Sequence, residues 1–230
     1  MEEELLPQFA TLSVENNFRP LYGGAIESLL SPDYQDVSSL REIPDHQEVF
    51  LHTQTEASLI TELLDLEKQQ TDDIALDYFF NDLAKHNESL STDIFVKQIA
   101  PRDEFMPHIT PAFVRMACIG KQHVKKYRSQ NANIDSVFIV LVVVRLRNVE
   151  TDILITLNLP YSPQRIQGLP IQVADNFVPD ELLRSIDCLY FAPDQPKSPE
   201  TQLIEAIFPE IKDLQKFLHF FRIQDWGLFL

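Results

Sequence analysis

The chain has 230 residues, 44% apolar side chains and a formal net charge of −16. That apolar content can build a full hydrophobic core, which excludes wholesale disorder, and the length fits one large domain. The longest unbroken apolar run, 137–144, is far shorter than the ~20 residues that a membrane-spanning helix needs. The N-terminus lacks the pattern of a secretory signal, and Cys118 and Cys188 are too few for a disulfide framework. We therefore expect a reducing compartment.

The negative charge is concentrated in the first two-fifths of the chain. Residues 1–95 contain 20 acidic and 4 basic side chains, whereas residues 96–230 contain 15 of each kind. Such a field repels nucleic acid and anionic membranes and attracts a basic protein surface. We expect neither nucleic acid nor a membrane as a partner, although charge that serves solubility alone is the plain alternative. The short basic run from Lys121 to Arg128 is interpreted as a solvated strand face.

The first hundred residues predict a tail followed by strands and helices. Residues 1–18 lack periodicity and are predicted to be a flexible acidic tail, and 19–230 are predicted to form a single domain. The glycine pair at 23–24, inside an apolar segment, predicts a strand bulge or a close backbone approach. The segment 47–52 predicts a strand, and 93–100 is a further strand candidate. Two helices are predicted in between: one capped by Thr55 with a stripe at Leu59, Ile60, Leu63 and Leu64, and one from Thr71 with Asp72 and Asp73 in its first turn.

The strongest strand signal lies in the second half of the chain. Residues 136–147 contain an unbroken, β-branched apolar run, which is typical of a strand buried on both faces. Because a short link separates it from the apolar segment 152–159, the two segments predict an antiparallel hairpin. A sheet buried on both faces needs a layer on each side. The helices are available for this, so we predict an α+β fold, a three-layer α/β/α sandwich around a mainly antiparallel sheet.

The C-terminal third predicts further helices. One has Pro179 in its first turn. A longer one covers 200–221, with a break at Pro209. The apolar ending, 223–230, is expected to pack back on the body of the domain. Cys118 is expected in the core.

Familiar catalytic patterns are absent from the sequence. It has no phosphate-binding loop, no dinucleotide fingerprint, no G-x-S-x-G, no H-E-x-x-H and no cysteine pair at zinc-ligand spacing. We therefore predict a protein without a cofactor that is not an enzyme. Asp45, His46 and Glu48 are near neighbours in the chain, so a metal or hydrolytic site there stays an alternative.

Residues 36–50 carry the most distinctive pattern in the chain. They read Asp-x-Ser-x-Leu-Arg-x-x-Pro-Asp-x-Gln-Glu-Val from Asp36 to Val49. This pattern closely resembles the signature of the Ran guanine-nucleotide release factors, the Mog family of nuclear-import proteins. The apolar-Gly-Gly-Ala element at 21–26 resembles an element near the start of that family's sequence. Three further segments are similar to the family: the predicted helix 58–64, the predicted hairpin 144–160 and the ending 223–229.

The resemblance covers 21–66, 112–160 and 219–230, and the segment 161–218 looks enlarged relative to the family. It implies a sandwich fold shared with the PsbP proteins of photosystem II. It also implies binding to the small GTPase Ran and promotion of guanine-nucleotide release, in support of nuclear protein import. We accordingly expect the protein in the nucleus and the cytoplasm. A Ran-binding co-factor in the complex is left open, and a monomer is the default.

Five residues are candidates for Ran binding, and four of them match the family's pattern. The resemblance assigns the contact first to Asp45 and Glu48, and Glu42 lies close enough in sequence to widen the acidic surface. Asp36 and Arg41 also match, but there we favour structural roles, Asp36 capping a turn and Arg41 pairing with a neighbouring carboxylate. For Asp45 and Glu48 a purely structural role is the alternative to a Ran contact, since Asp45 lies in a Pro-Asp turn and Glu48 begins a strand.

One alternative function stays open beside the release factor. An adaptor of the same fold could bind another basic protein and leave the nucleotide of Ran untouched, because members of one fold diverge in their partners.

Overall fold

The structure is a computed structural model that describes residues 18–99, 101–125, 134–167, 169 and 179–229. Its ten described strands form two sheets. A small sheet has the order β1–β2–β10, and a large one has the order β3–β4–β5–β9–β8–β7–β6. Every pairing in both sheets is antiparallel. Most of the predicted tail, 1–17, lies outside the described residues.

The strands span Phe18–Leu21 (β1), Ile26–Leu29 (β2), Tyr34–Asp36 (β3), Gln47–His52 (β4), Ser58–Asp65 (β5), Ser91–Ile99 (β6), Val114–Lys125 (β7), Ile134–Leu146 (β8), Thr151–Tyr161 (β9) and Arg222–Ile223 (β10). The predicted strands at 47–52, 93–100, 136–147 and 152–159 are thereby confirmed, except that residue 100 is outside the description. The hairpin of β8 and β9 is antiparallel, as predicted.

The helix predicted after Thr55 is wrong. The segment with the stripe of Leu59, Ile60, Leu63 and Leu64 is strand β5, which pairs with β4 on one side and β9 on the other. Adjacent apolar residues fit a helical stripe, and they also fit a central strand with an apolar layer on each face. Thr55 caps no helix; its hydroxyl lies 3.0 Å from Nδ1 of His52 in the turn between β4 and β5.

Helix α1, Asp72–His86, covers one face of the large sheet. Its two first-turn aspartates and its last-turn Lys85 and His86 complement the helix dipole. Its apolar side packs on residues from β7, β8 and β9, including the buried Cys118. The helix approaches closely at Gly120, where an added Cβ would lie 2.5 Å from the ring of Phe80. The helix predicted from Thr71 and the core position of Cys118 are confirmed.

The opposite face is covered by the small sheet and by the C-terminal helices α2 (Pro199–Ile207) and α3 (Glu210–Phe220). The break predicted at Pro209 is confirmed, because Pro209 lies between the two helices. The α-helix predicted from Pro179 is wrong, since that region forms two 3₁₀ segments, Pro179–Arg184 and Ile186–Leu189. The fold is thus a mixed α/β fold on a mainly antiparallel sheet.

The C-terminal turn packs back on the domain, as predicted. The 3₁₀ segment Trp226–Phe229 follows β10, and Leu228 and Phe229 pack on the main core. None of the helices in the described ranges has both the length and the apolar character to span a membrane.

A buried arginine ties the central hairpin to the start of α1. The side chain of Arg145, on β8, is 2% exposed, and its Nε donates to Oδ1 of Asp152 at 3.0 Å. Its other nitrogens donate to the carbonyls of Gln70 at 2.8 Å and Glu67 at 2.6 Å and to a carboxylate oxygen of Asp72 at 3.1 Å. Because these contacts pair the guanidinium with two carboxylates and two carbonyls, the burial of this charge is compensated.

Candidate interaction surface

The sequence-predicted residues lie on β3, on β4 and in the loop that joins them. Asp36 ends β3, and its Oδ1 accepts a hydrogen bond from the backbone N–H of Ser38 at 2.8 Å. The hydroxyl of Ser39 donates to the carbonyl of Asp36 at 2.8 Å. Asp36 therefore caps the 3₁₀ turn Val37–Ser39, as expected. The turn presents Leu40, which is 65% exposed.

A second turn presents Asp45. The N–H of Gln47 donates to the carbonyl of Pro44 at 2.9 Å, which closes the chain around Asp45 just before β4 begins. The side chains of Arg41, Glu42 and Asp45 are exposed, and among the described residues none of them forms a side-chain hydrogen bond or an ion pair. The expected pairing of Arg41 with a neighbouring carboxylate is therefore absent from the described part of the chain.

Glu48 differs from Asp45 because it is held in place. Its Oε1 accepts a hydrogen bond from the backbone N–H of Tyr22 at 2.6 Å. Burial raises the pKa of the Glu48 carboxyl, the Tyr22 N–H partly offsets that rise, and the nearby carboxylate of Asp36 adds to it. The strand start that we predicted for Glu48 is correct, but its side chain is half-buried rather than free.

The residue that holds Glu48 has an uncommon backbone. Tyr22 has a φ of 51°, and it is followed by Gly23 at 67° and Gly24 at 95°. These residues form a 3₁₀ turn between β1 and β2, and a Cβ added at either glycine would have nothing within 4 Å. The prediction of a strand bulge or a close backbone approach is therefore wrong, and the pair serves the left-handed backbone of the turn. The Tyr22 hydroxyl lies 2.9 Å from Oγ1 of Thr61 and donates to the carbonyl of His46 at 3.4 Å. Burial raises the pKa of this phenol.

Tyr22 and the buried Thr61 support this surface from beneath, and the sequence patterns did not single them out. Tyr22 contacts partners 24 to 39 positions away in the chain. The position of Tyr22 beside the glycine pair was the one signal that could have raised attention, because such pairs mark special backbone geometry.

The acidic surface is defined here as Asp36, Glu42, Asp45 and Glu48. Asp36 and Phe50 are paired across β3 and β4, which places Asp36 near Glu48. Asp45 and Glu42 extend the surface into solvent. Within the described residues, no group of three His, Cys, Asp or Glu side chains is placed to hold a metal ion, and the carboxylate of Glu48 is already bonded to a backbone N–H. The arrangement thus offers fixed negative charge and an exposed leucine, which suits a basic protein surface.

Comparison with known proteins decides the family. The model of the family described as "Ran-interacting Mog1 protein" matches residues 19–160. The chain belongs to the Mog1 family. The Ran guanine nucleotide release factor of Danio rerio is 36% identical over 146 residues, which is 62% of this chain and 77% of the relative. The corresponding protein of Homo sapiens is 36% identical over 170 residues, covering 68% and 86% of the two chains.

More distant relatives are named as nuclear import proteins. The nuclear import protein of Schizosaccharomyces pombe is 30% identical over 157 residues, or 65% of this chain and 83% of the relative. The crystal structure of the Saccharomyces cerevisiae Ran-binding protein Mog1p superposes with a TM-score of 0.60 at 19% identity, over 93% of this chain and 97% of the other. That superposition confirms a Mog1 fold. It extends past residue 160, where the match to the family model stops.

Proposed function

We propose that this Mog1-family chain binds Ran through its acidic surface and promotes release of the guanine nucleotide, in support of nuclear protein import. The observation that carries the proposal is the pair Asp45 and Glu48. One carboxylate is exposed and unpaired among the described residues, and the other is fixed by the N–H of Tyr22 at 2.6 Å. The names of relatives, which are Ran guanine nucleotide release factors and nuclear import proteins, support the same partner.

Release by this chain needs binding energy alone. Nucleotide affinity in GTPases of the Ran type depends on lysine and Mg²⁺ contacts to the phosphates. A partner that binds the nucleotide-free state more tightly than the loaded state shifts the equilibrium toward release by that difference in affinity. The acidic surface would supply this difference if it pairs with basic side chains of Ran beside the nucleotide pocket. No step of this scheme requires covalent chemistry, so we propose that the chain is not an enzyme in the classical sense.

A nucleotide-release assay tests the proposal. Ran loaded with a fluorescent GTP or GDP analogue is mixed with the chain in excess unlabelled nucleotide, and the decay of fluorescence is followed at several salt concentrations. We expect faster decay with the chain than without it, and a smaller acceleration as salt screens the exposed carboxylates. Asp45→Lys should remove most of the acceleration.

The control for Asp45→Lys is Asp194→Lys, which makes the same change of charge in an exposed loop between the 3₁₀ segments and α2. It should behave as the unmodified chain. Equal losses for the two variants would show that net charge, rather than the acidic surface, drives the effect. Unchanged release with Asp45→Lys and with Glu48→Lys would place the contact elsewhere.

The adaptor remains a second candidate, and one observation favours keeping it. The match to the family model ends at residue 160, so α2 and α3 lie in a part of the chain that the model does not cover. Binding to Ran without accelerated release would support an adaptor that uses the same surface.

We also propose a more specific fold type, an oligomeric state and a cellular location. The two covered faces of the large sheet support a three-layer α/β/α sandwich of the PsbP type, and a superposition on a PsbP structure would test it. We propose that the protein is a monomer, which light scattering would test. We propose that it resides in the nucleus and cytoplasm, which imaging of the tagged chain would test. We also propose that a co-factor joins the Ran complex, which co-purification with Ran would test.

A further inference from the structure

We propose that the groove at the open end of β5 binds an extended segment of the partner that contacts the acidic surface, and that this segment contains Lys or Arg. The inference rests on the proposed function, because it extends the proposed Ran contact from the turn at Asp45 into a neighbouring groove. Four observations support it: an uncovered strand edge, an open groove, its charge, and its continuity with the acidic surface.

The uncovered edge follows from the register of β4 and β5. Leu63 donates its N–H to the carbonyl of His46 at 2.9 Å, and Glu48 pairs with Thr61 further along. The same register would place residue 44 opposite Asp65. Residue 44 is a proline, which has no N–H to donate, and the chain turns away there.

The backbone of β5 is therefore open on this side at its last residue, Asp65. Alternate residues of a strand direct their N–H and C=O groups to the same neighbour. Because the N–H of Leu63 points toward β4, the N–H and C=O of Asp65 point to the same side, at a level of the sheet that lies before the first residue of β4, Gln47. In the described ranges the N–H of Asp65 has no hydrogen-bond partner on that side. On the other side, β9 pairs with β5 as far as Asp65.

An open groove of about 710 Å³ lies at this end of β5. Its walls are the end of β5, the loop that follows it, the turn between β8 and β9, and the C-terminal 3₁₀ turn. The apolar lining residues are Leu63, Leu64, Leu66, Val149, Leu228 and Phe229. An open strand edge beside apolar side chains is the arrangement that binds an extended peptide by strand addition.

The charges of the groove select a basic occupant. Asp65, Glu67 and Glu150 line it, together with a single lysine, Lys68. That lysine is paired with Glu150 at 2.6 Å, so the carboxylates of Asp65 and Glu67 remain the uncompensated charges of the lining. Lys or Arg side chains that alternate with apolar ones on an extended segment would match both the free carboxylates and the apolar side chains of the groove.

The groove also continues the acidic surface. The carbonyl of His46, next to Asp45, accepts the N–H of Leu63, which lines the groove. The turn at Pro44 and Asp45 thus does two things: it exposes the Asp45 carboxylate, and it delays the start of β4 to Gln47, so that the last residue of β5 is left unpaired on this side. A partner seated on Asp45 therefore has a strand edge directly beside it.

Two measurements with Ran itself test this proposal. In the first, hydrogen–deuterium exchange of the full chain is followed with and without Ran. We expect the amide of Asp65 to exchange quickly in the free chain and to be protected in the complex, because strand addition would give it a hydrogen-bond acceptor. Protection that is already present without Ran would show that the chain itself or a second copy occupies the groove, and would overturn the proposal.

In the second, the affinity for Ran is measured for Asp65→Lys and for the matched variant Asp194→Lys. We expect Asp65→Lys to weaken binding about tenfold, as for charge reversal against a basic segment, and Asp194→Lys to leave it within about twofold. If Ran binds and depends on Asp45 while the Asp65 amide stays unprotected and Asp65→Lys has no effect, the groove proposal fails and the proposed function stands. If Ran does not bind at all, both fail.

Discussion

Two groups of charged residues in this molecule are built in opposite ways. Around Arg145, a guanidinium that is 2% exposed is paired with Asp152, which is fully buried, and with backbone carbonyls. In the acidic surface, Asp45 and Glu42 are exposed and form no ion pair with any described residue. The difference teaches that the first group has its partners inside the fold, whereas the second leaves its charge available to a partner outside it.

The largest effect should come from breaking the internal group. Arg145→Leu would leave Asp152 buried without its cation, which should lower the free energy of unfolding by about 3–5 kcal/mol. Urea denaturation measures this change. Adding Asp152→Asn to the same chain should restore part of the loss, because the uncompensated charge is then gone. A variant as stable as the unmodified chain would contradict the role given to this network.

The second effect separates binding from stability. Asp45→Lys should reduce the free energy of Ran binding by about 2–5 kcal/mol if the carboxylate is desolvated against a cation of the partner. Its unfolding midpoint in urea should hardly change, since the side chain has no internal contact to lose. Calorimetric titration with Ran gives the affinity. A loss below about 1 kcal/mol would place Asp45 at the rim of the contact.

Glu48 lies between the two groups and should affect both properties through pH. Since burial raises its pKa in the folded chain, folding favours the protonated form. Its contribution to stability is therefore most favourable at pH values below the pKa in the unfolded chain. It becomes unfavourable as pH rises through the window between that value and the raised folded one.

The variant Glu48→Gln sharpens this prediction. It keeps an oxygen that can accept from the N–H of Tyr22 but does not ionise. Its stability should lack the fall with rising pH in that window, as measured by urea unfolding at a series of pH values. Binding of Ran to the unmodified chain should weaken on acidification through the same window, because Glu48 takes up a proton. Identical pH profiles for the two chains would contradict the buried position of Glu48.

The smallest effect is expected at Tyr22. The variant Tyr22→Phe keeps the backbone N–H that holds Glu48 and removes the hydroxyl that contacts Thr61. We expect a loss of about 1 kcal/mol in stability, typical of one hydrogen bond, and little change in Ran affinity. Urea unfolding and titration measure the two quantities. A large loss of affinity would mean that the phenol itself contacts the partner.

The parts of this structure that the sequence predicted correctly are those with a strong local signal. The apolar run of β8, the acidic first turn of α1 and the proline break between α2 and α3 can each be recognised within one short segment. Strand β5 was mistaken for a helix because one of its two neighbours, β9, lies far from it in sequence. Its side chains alone do not reveal that both of its faces are covered.

The same limit applies to the candidate surface. The turn at Pro44 and Asp45 and the cap at Asp36 were predictable, because proline and aspartate favour these geometries locally. The bond from Tyr22 to Glu48 spans 26 positions and brings the glycine turn of one sheet onto a strand of the other. No pattern in either segment specifies that contact.

The C-terminal turn supplies the chain with an internal optical reporter. Trp226 is the chain's single tryptophan, and its ring lies 5.6 Å from Phe113 and 5.7 Å from Phe229, measured between ring centres. Phe229 is also a wall of the groove beside β5. Anything that enters the groove should change the surroundings of the indole, so its emission can follow occupancy without a label attached to the chain.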